Sequence, residues 1–544
     1  MLLTLHDFLT GLLRGVGLLG LALAAGGVMW ALVVLRVPRD ADRAPRAAKR
    51  CLEIVGLGAL AVAFGRGAGL LLENHVLSAT LGRSVLADLL RTPHFAAGAA
   101  LVVLALALGV TAVWLRGRPR AVVGWAIASV LAALMATSGG WLTHAAGRME
   151  HGGPLMLLTV MHQLAAAVWV GGLVQLGALW RLGRHDADAA AVWPVLVRRF
   201  STLAATAVGA LVLAALPLTW AYTASWPALV GTGYGSLVLT KAALLVAVLA
   251  VAFVTRRAVR SGVGLPPGSA LRERVPRLAE AETIVLVIIL FAAASLSAQP
   301  PAVDQSRADT ATVAEVVEVF RPKVPALHMP SPEAMRQSRA AMAAGAERTR
   351  EAYLWSNFSH NVSGLILLGT SLFALVGLAG GARWYRHWPL GFVALAVFVY
   401  LRAAANEGVW PMGPTPVWHV GAEALQHGMA AGLVLVLGLV EWRARGRVFP
   451  LAALPYILPV LAGAGGVLLL THSHTAFQSK ASFLVQVTHS TMGGLAALLA
   501  AARWLELRLT PPASRWAGVA ASLAMVGIAL VLVFYREANL TLEP

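Results

Sequence analysis

Hydrophobic residues run along this chain in long uninterrupted blocks, broken by short polar stretches rather than alternating with them. Fourteen blocks approach or exceed the length of about 20 residues that a helix needs to cross a hydrocarbon core. They lie near 9–35, 51–72, 95–115, 121–143, 155–180, 201–221, 236–255, 280–298, 361–382, 388–401, 417–440, 450–470, 482–502 and 514–535, the tenth being short. Apolarity on all faces over such lengths is the mark of membrane helices. The expected fold is all-α: a polytopic helical membrane protein of about 14 transmembrane helices.

Composition agrees. Hydrophobic residues make up 58% of the 544 and charged residues only 12%, where a soluble chain carries about a quarter charged. The net charge of +18 would suit nucleic acid, but its placement argues for topology instead. The connections 36–50, 116–120, 181–199, 256–277, 383–386, 443–447 and 503–515 hold 27 of the 43 Lys and Arg. The remaining short connections and the C-terminal tail hold six: Arg83, Arg91, Arg148, Arg402, Lys480 and Arg536. By the positive-inside rule the rich connections face the cytoplasm and both termini the periplasm. No nucleic-acid partner is expected. The single cysteine, Cys51, excludes an intrachain disulfide and a CxxC metal motif. The first apolar block lacks a basic leader and a cleavage site, so it is expected to be a retained span.

On this topology two histidines, His185 and His387, fall in cytoplasmic connections. The other thirteen lie outside or in the outer half of a span, and nine methionines, among them Met149, Met156, Met329, Met412 and Met492, lean the same way. Imidazole and thioether are ligands that suit copper. Imidazole is also the usual axial ligand of b-type haem. Singly, each such histidine has the plainer reading of a hydrogen-bonded residue at a helix end.

An internal repeat sharpens the choice. His6-Asp-Phe-Leu-Thr-Gly…Gly26-Gly27 lines up with His360-Asn-Val-Ser-Gly…Gly380-Gly381. Phe64-Gly-Arg66 resembles Tyr400-Leu-Arg402, and His94 resembles His427. Leu142-Thr143-His144 matches Leu470-Thr471-His472, and Val160-Met161-His162 matches Val487-Thr488-His489. The offsets fall through 354, 336, 333, 328 and 327, as small loop deletions require. Spans 1–6 and 9–14 thus read as two copies in the same orientation, a parallel repeat about an axis along the membrane normal. The domains expected are 1–298, a polar segment 299–356 with a helix near 332–354, and 357–544.

Each copy brings four histidines and one arginine. His6, His94, His144 and His162 form one set and His360, His427, His472 and His489 the other, the expected metal ligands. His162 sits about eight residues into its span, roughly 12 Å deep at 1.5 Å per residue. Four histidines from four helices are how bundles build core metal or cofactor sites; duplication of purely structural histidines is the alternative. If haem is bound, Arg66 and Arg402 are the expected propionate partners. Secondary candidates are Glu423, one turn before His427, with His474, Met492, and the His328-Met329 pair in the polar segment.

The stretch His162-Gln-Leu-Ala-Ala-Ala-Val-Trp169-Val-Gly171-Gly172-Leu, then Arg198-Arg-Phe200-Ser201, Tyr234-Gly235…Lys241 and Arg277-Leu-Ala-Glu280-Ala-Glu282 up to Pro300-Pro301, resembles the copper resistance protein D (CopD) family of bacterial inner membranes. The resemblance covers spans 5–8 well and spans 1–4 loosely. It implies an eight-span core and copper handling, usually transport from periplasm to cytoplasm beside a periplasmic copper-binding partner. The second bundle and segment 299–356 depart from that short form. Two other functions stay open: a redox protein with one bis-His haem per repeat, an oxidoreductase, and a non-catalytic assembly partner of a periplasmic copper chaperone. No nucleophile constellation, phosphate loop or intramembrane carboxylate pair supports hydrolytic catalysis.

Overall fold

The computed structural model describes residues 2–40, 44–148, 151–262, 270–343, 349–380, 383–416, 422–446, 453–471 and 479–537. Among them the regular structure is helical, with one isolated bridge between Val409 and Thr415. Fourteen helices are long and apolar enough to cross a membrane. In chain order they are α1 (His6–Leu35), α2 (Pro45–Leu81), α3 (Pro93–Gly117), α4 (Val122–Gly140), α5 (Gly152–Gly183), α6 (Ala187–Thr223), α7 (Gly233–Gly262) and α8 (Arg272–Leu296). There follow α9 (Arg350–Leu378), α10 (Trp384–Ala405), α11 (His427–Arg445), α12 (Leu454–Thr471), α13 (Lys480–Arg508) and α14 (Ala513–Val533).

Helix starts follow local chemistry. Pro45 and Pro93 open α2 and α3, where a missing N–H costs nothing. Thr92, Asp186, Thr349 and Ser479 cap α3, α6, α9 and α13 by accepting a backbone N–H of the first turn. The helix expected near 332–354 is divided: one helix covers Pro332–Ala343, and the Thr349 cap starts α9 at Arg350. The polar residues from Arg350 onward, expected at the end of that separate helix, are therefore the first turns of a membrane helix.

The chain forms two compact units. The N-terminal unit comprises His6–Ser225 and Lys241–Asp304. In it α2 packs on α3, α3 on α4, and α5 on both α6 and α8. Helices α1 and α5 cross at glycines: a Cβ on Gly171 would lie 2.0 Å from the Ala22 carbonyl, and one on Gly26 would lie 2.0 Å from that of Ala167. Backbone contact of this kind is how small residues hold membrane helices together. Large apolar side chains such as Val110, Leu213 and Val246 are exposed on the outside of the unit, as a lipid-facing surface requires.

The C-terminal unit comprises Met1–Leu5, Trp226–Thr240 and Gln305–Pro544. Here α9 packs on α10 and α14, α10 on α11, and α13 on α12 and α14. A short helix, Val313–Phe320, starts with a full capping box between Thr312 and Glu315. Val316 and Val319 of that helix bury themselves with Ala311 against Phe483, Leu484 and Val487 of α13. Lys480 pairs with Glu315 at 2.5 Å. The Lys480 ammonium and the Thr312 groups hold the Glu315 carboxyl below its usual range, against the burial that would raise it.

Candidate functional site

In the C-terminal unit, α9 and α13 bring together His360 and His489, 129 positions apart in the chain. Their ring centroids are 6.2 Å apart and their planes cross at 86°. Each ring is oriented by its own helix: His360 Nδ1 donates to the Ser356 carbonyl at 2.8 Å, and His489 Nδ1 to the Val485 carbonyl at 3.0 Å. A carbonyl can only accept, so the proton sits on Nδ1 and the ring lone pair on Nε2. That tautomer makes Nε2 the ring atom with ligand character. His427 and Arg402 lie within electrostatic range of His360.

Residues beyond the repeat complete the surroundings. Tyr535, just past α14, stacks on His360 with centroids 4.0 Å apart and planes at 26°. Beside His360, Asn361 is fully buried. Its Nδ2 donates to the carbonyls of Leu532 and Tyr535 at 3.1 and 3.0 Å, and its Oδ1 accepts from Ala326 N at 2.5 Å and from Arg536. Arg536 also donates to the Val324 carbonyl. The extended stretch before His328 and Met329 is thereby pinned next to the histidine pair, with both of those side chains exposed. Met492 is buried one turn beyond His489. His472 and His474, and the side chain of Glu423, lie outside the described residues.

The N-terminal unit distributes its set differently. Arg66 of α2 donates to His94 Nε2 at 3.3 Å, and Arg14 of α1 and Glu73 of α2 lie within electrostatic range of both. His94 and His144 line one open cleft of about 670 Å³ with Trp141, Arg148 and Asp304. Arg148 and Asp304 pair at 2.8 Å on its rim. Burial lowers the pKa of His144 below its ordinary value, outweighing a backbone hydrogen bond that opposes the shift. His162 instead donates from Nδ1 to the Leu211 carbonyl of α6 at 3.2 Å, within range of Lys241. His6 contacts Asp7, at 3.2 Å. Among the described residues no group of three or more His, Cys, Asp or Glu side chains is placed to hold one metal ion. The arrangement offers a pair of imidazoles in one unit and an arginine-flanked histidine cleft in the other.

Tyr535, Asn361 and Arg536 were not among the sequence candidates. One signal existed: the residue after the first histidine of each copy is Asp7 or Asn361, and in each case the side chain is engaged.

Residues 194–296 match the family model described as Copper resistance protein D. Over 149 residues the chain is 29% identical to Copper transport protein CutJ of Bacillus subtilis (strain 168), an alignment covering 27% of this chain. The chain spans about a quarter of the length of that relative, 25%. No solved structure matches. The matched residues 194–296 take in most of α6 and the whole of α7 and α8, and over that stretch the chain is similar to the copper resistance protein D family.

Proposed function

We propose that the protein is an inner-membrane copper-handling protein that binds copper at the His360–His489 pair and carries it from periplasm to cytoplasm. The observation that carries this reading is the pair itself. Two imidazoles from different helices present the same tautomer, each fixed by a carbonyl of its own helix, so both Nε2 atoms are ligands of the kind copper takes. The similarity to a copper transport protein and the match of residues 194–296 to the copper resistance protein D model support the cargo.

The histidines lie on the periplasmic side, on the grounds that the arginine-rich connections face the cytoplasm. The same helix neighbours recur in both units: α2 on α3, α3 on α4 and α5 on α6 in one, α10 on α11, α11 on α12 and α13 on α14 in the other. This recurrence supports the parallel repeat. His328 and Met329 form the collection point through which a periplasmic copper-binding partner delivers its ion.

Copper accumulation in cells and copper bound per purified chain test the reading, comparing wild type with His360→Ala, His489→Ala and the double variant. Loss of binding in each single variant is the expected result. Unchanged accumulation in the double variant overturns it. A visible spectrum before and after dithionite is the companion measurement. A Soret band with sharpened reduced α and β bands would make the pair axial haem ligands and the protein a redox carrier.

A further inference from the structure

The basic connections of the C-terminal unit do more than mark one side of a membrane. Arg386 at the start of α10, Arg445 at the end of α11 and Arg503 near the end of α13 line one cavity of about 260 Å³. Tyr385 and Trp388 of α10 and Ser522 of α14 also line it. Ser522 lies nine residues into α14, about 13 Å along a helix at 1.5 Å per residue. The cavity therefore reaches from the helix ends into the bundle.

Donors around this cavity outnumber acceptors. Arg503 spends its two terminal nitrogens on Glu441 at 2.8 Å and Glu506 at 2.6 Å. Glu506 is the one carboxylate in the wall among the described residues. Arg445 reaches Glu441 through Nε, at 2.7 Å, and lies over the Trp388 ring at 4.9 Å. Arg386 directs its Nε to His387, at 3.1 Å. The terminal nitrogens of Arg386 and Arg445, and the hydroxyls of Tyr385 and Ser522, have no acceptor among the described residues. Three guanidiniums thus face two carboxylates, Glu441 and Glu506, and one positive charge is left over.

Unspent donors and a surplus cation inside a bundle call for a negatively charged acceptor. A metal ion is repelled by such a set, and a neutral ligand leaves the charge unanswered. Guanidiniums match the oxygens of a phosphoryl group two at a time. Beside the cavity Trp384 stacks on Tyr385 with centroids 4.1 Å apart, and Phe373 meets the two rings edge-on at 5.4 and 5.7 Å. Trp384 and Phe373 are exposed, and exposed aromatic rings at helix ends mark the headgroup level of a bilayer.

We propose that this cavity binds a phosphoryl group through Arg386, Arg445 and the Ser522 hydroxyl, with Arg503 held as a fixed wall charge by its two glutamates. Two sources carry that chemistry, the headgroup of an anionic phospholipid and inorganic phosphate. The exposed aromatics favour the lipid, since basic pockets between membrane helices suit anionic headgroups. The site is separate from the His360–His489 pair and does not depend on copper transport.

The unfolding temperature of the delipidated full-length protein in neutral detergent tests it, because a ligand of the folded state raises that temperature. Short-chain phosphatidylglycerol, phosphatidylcholine of the same chain length and inorganic phosphate are titrated separately. A rise with phosphatidylglycerol and none with phosphatidylcholine is the expected result. Arg386→Gln should need about 10- to 100-fold more lipid for the same rise, the worth of a hydrogen bond to a charged group. Ser522→Ala should weaken the response in the same direction. Arg515→Gln, which removes an exposed arginine outside the cavity, should respond as wild type. A rise with phosphate and not with phosphatidylglycerol, lost in Arg386→Gln, keeps the site and makes free phosphate its occupant. No rise with any of the three, an equal rise with both lipids, or a response unaltered in both Arg386→Gln and Ser522→Ala overturns the site. An equal loss in Arg515→Gln also overturns it, because general surface charge then accounts for the binding.

Discussion

The imidazole of His360 lies flat against the phenol ring of Tyr535, centroids 4.0 Å apart. The ring is thus held on two sides, by the stack and by its Nδ1 bond to the Ser356 carbonyl. An imidazole held this way presents Nε2 in one direction, and in the proposed copper site it would lose little rotamer freedom on binding.

Replacing Tyr535 with Leu should therefore weaken copper binding by about 10- to 100-fold, the usual effect of removing a residue that orients a ligand. Tyr535→Phe, which keeps the stack, should stay close to wild type. Competition titration of copper against a chelator of known affinity checks both.

Asn361 joins α9 to the C-terminal tail and to the stretch at Val324–Ala326 through side-chain bonds to four residues. Asn361→Leu fits the space but leaves buried backbone groups and the Arg536 guanidinium without this partner. Each such group costs about 1–3 kcal/mol. The variant should unfold at a clearly lower temperature in detergent, and limited proteolysis should cut earliest in the segment 321–331.

At the other end of α11 and α13, Glu441 is fully buried. Its Oε1 accepts from Arg503 at 2.8 Å and from Arg445 at 2.7 Å. Arg503 in turn pairs with Glu506 at 2.6 Å. Glu441→Ala should cost about 1.5–3 kcal/mol, the worth of a hydrogen bond to a charged group, since the buried Arg503 loses one carboxylate partner and keeps Glu506. Glu441→Leu combined with Arg503→Met should recover most of that loss. A double-mutant cycle on unfolding in detergent measures the coupling, and simple additivity would refute it.

Any side chain larger than hydrogen at Gly171 meets the Ala22 carbonyl. Gly171→Val should force α1 and α5 apart and lower the yield of folded protein. Gly177, with open space around it, should accept alanine without effect. Size-exclusion profiles of the purified variants distinguish the two.

His144 supplies a pH dependence. Its folded-state pKa lies below that of the unfolded chain because burial disfavours the imidazolium. The unfolded state therefore binds the proton first, and stability is lost as pH falls from about 6.5, the ordinary value, through the lower folded value. His144→Gln should flatten the fall in unfolding temperature over that range, and an unchanged slope would remove His144 as its source.

The membrane helices were readable because lipid offers the backbone no hydrogen-bond partners. Each crossing must be one continuous apolar helix, and a run of that length is visible in the chain itself. The exceptions have local causes: the Thr349 cap draws polar residues into α9, and Trp384 and its neighbours lengthen the short tenth span. Glu441 and Arg503 were passed over because an arginine at a helix end reads as a topology signal, and nothing in its own neighbourhood reveals a buried carboxylate on another helix.

The candidate histidines could be named from the sequence, but not their arrangement. Repetition marked His360 and His489, but equally His6 and His162, and the structure treats the four differently. Whether two side chains on separate helices meet depends on the rotation of each helix and on which neighbour it packs against. Those are settled by glycine contacts, by side-chain bonds such as Asn361 to Leu532, and by a ring stack with Tyr535. The number, length and apolarity of the helices belong to the sequence alone, because each helix satisfies its backbone internally. The pairing of His360 with His489 and the partnering of Glu441 with Arg503 belong to the tertiary structure, because they are contacts between helices that local sequence does not encode.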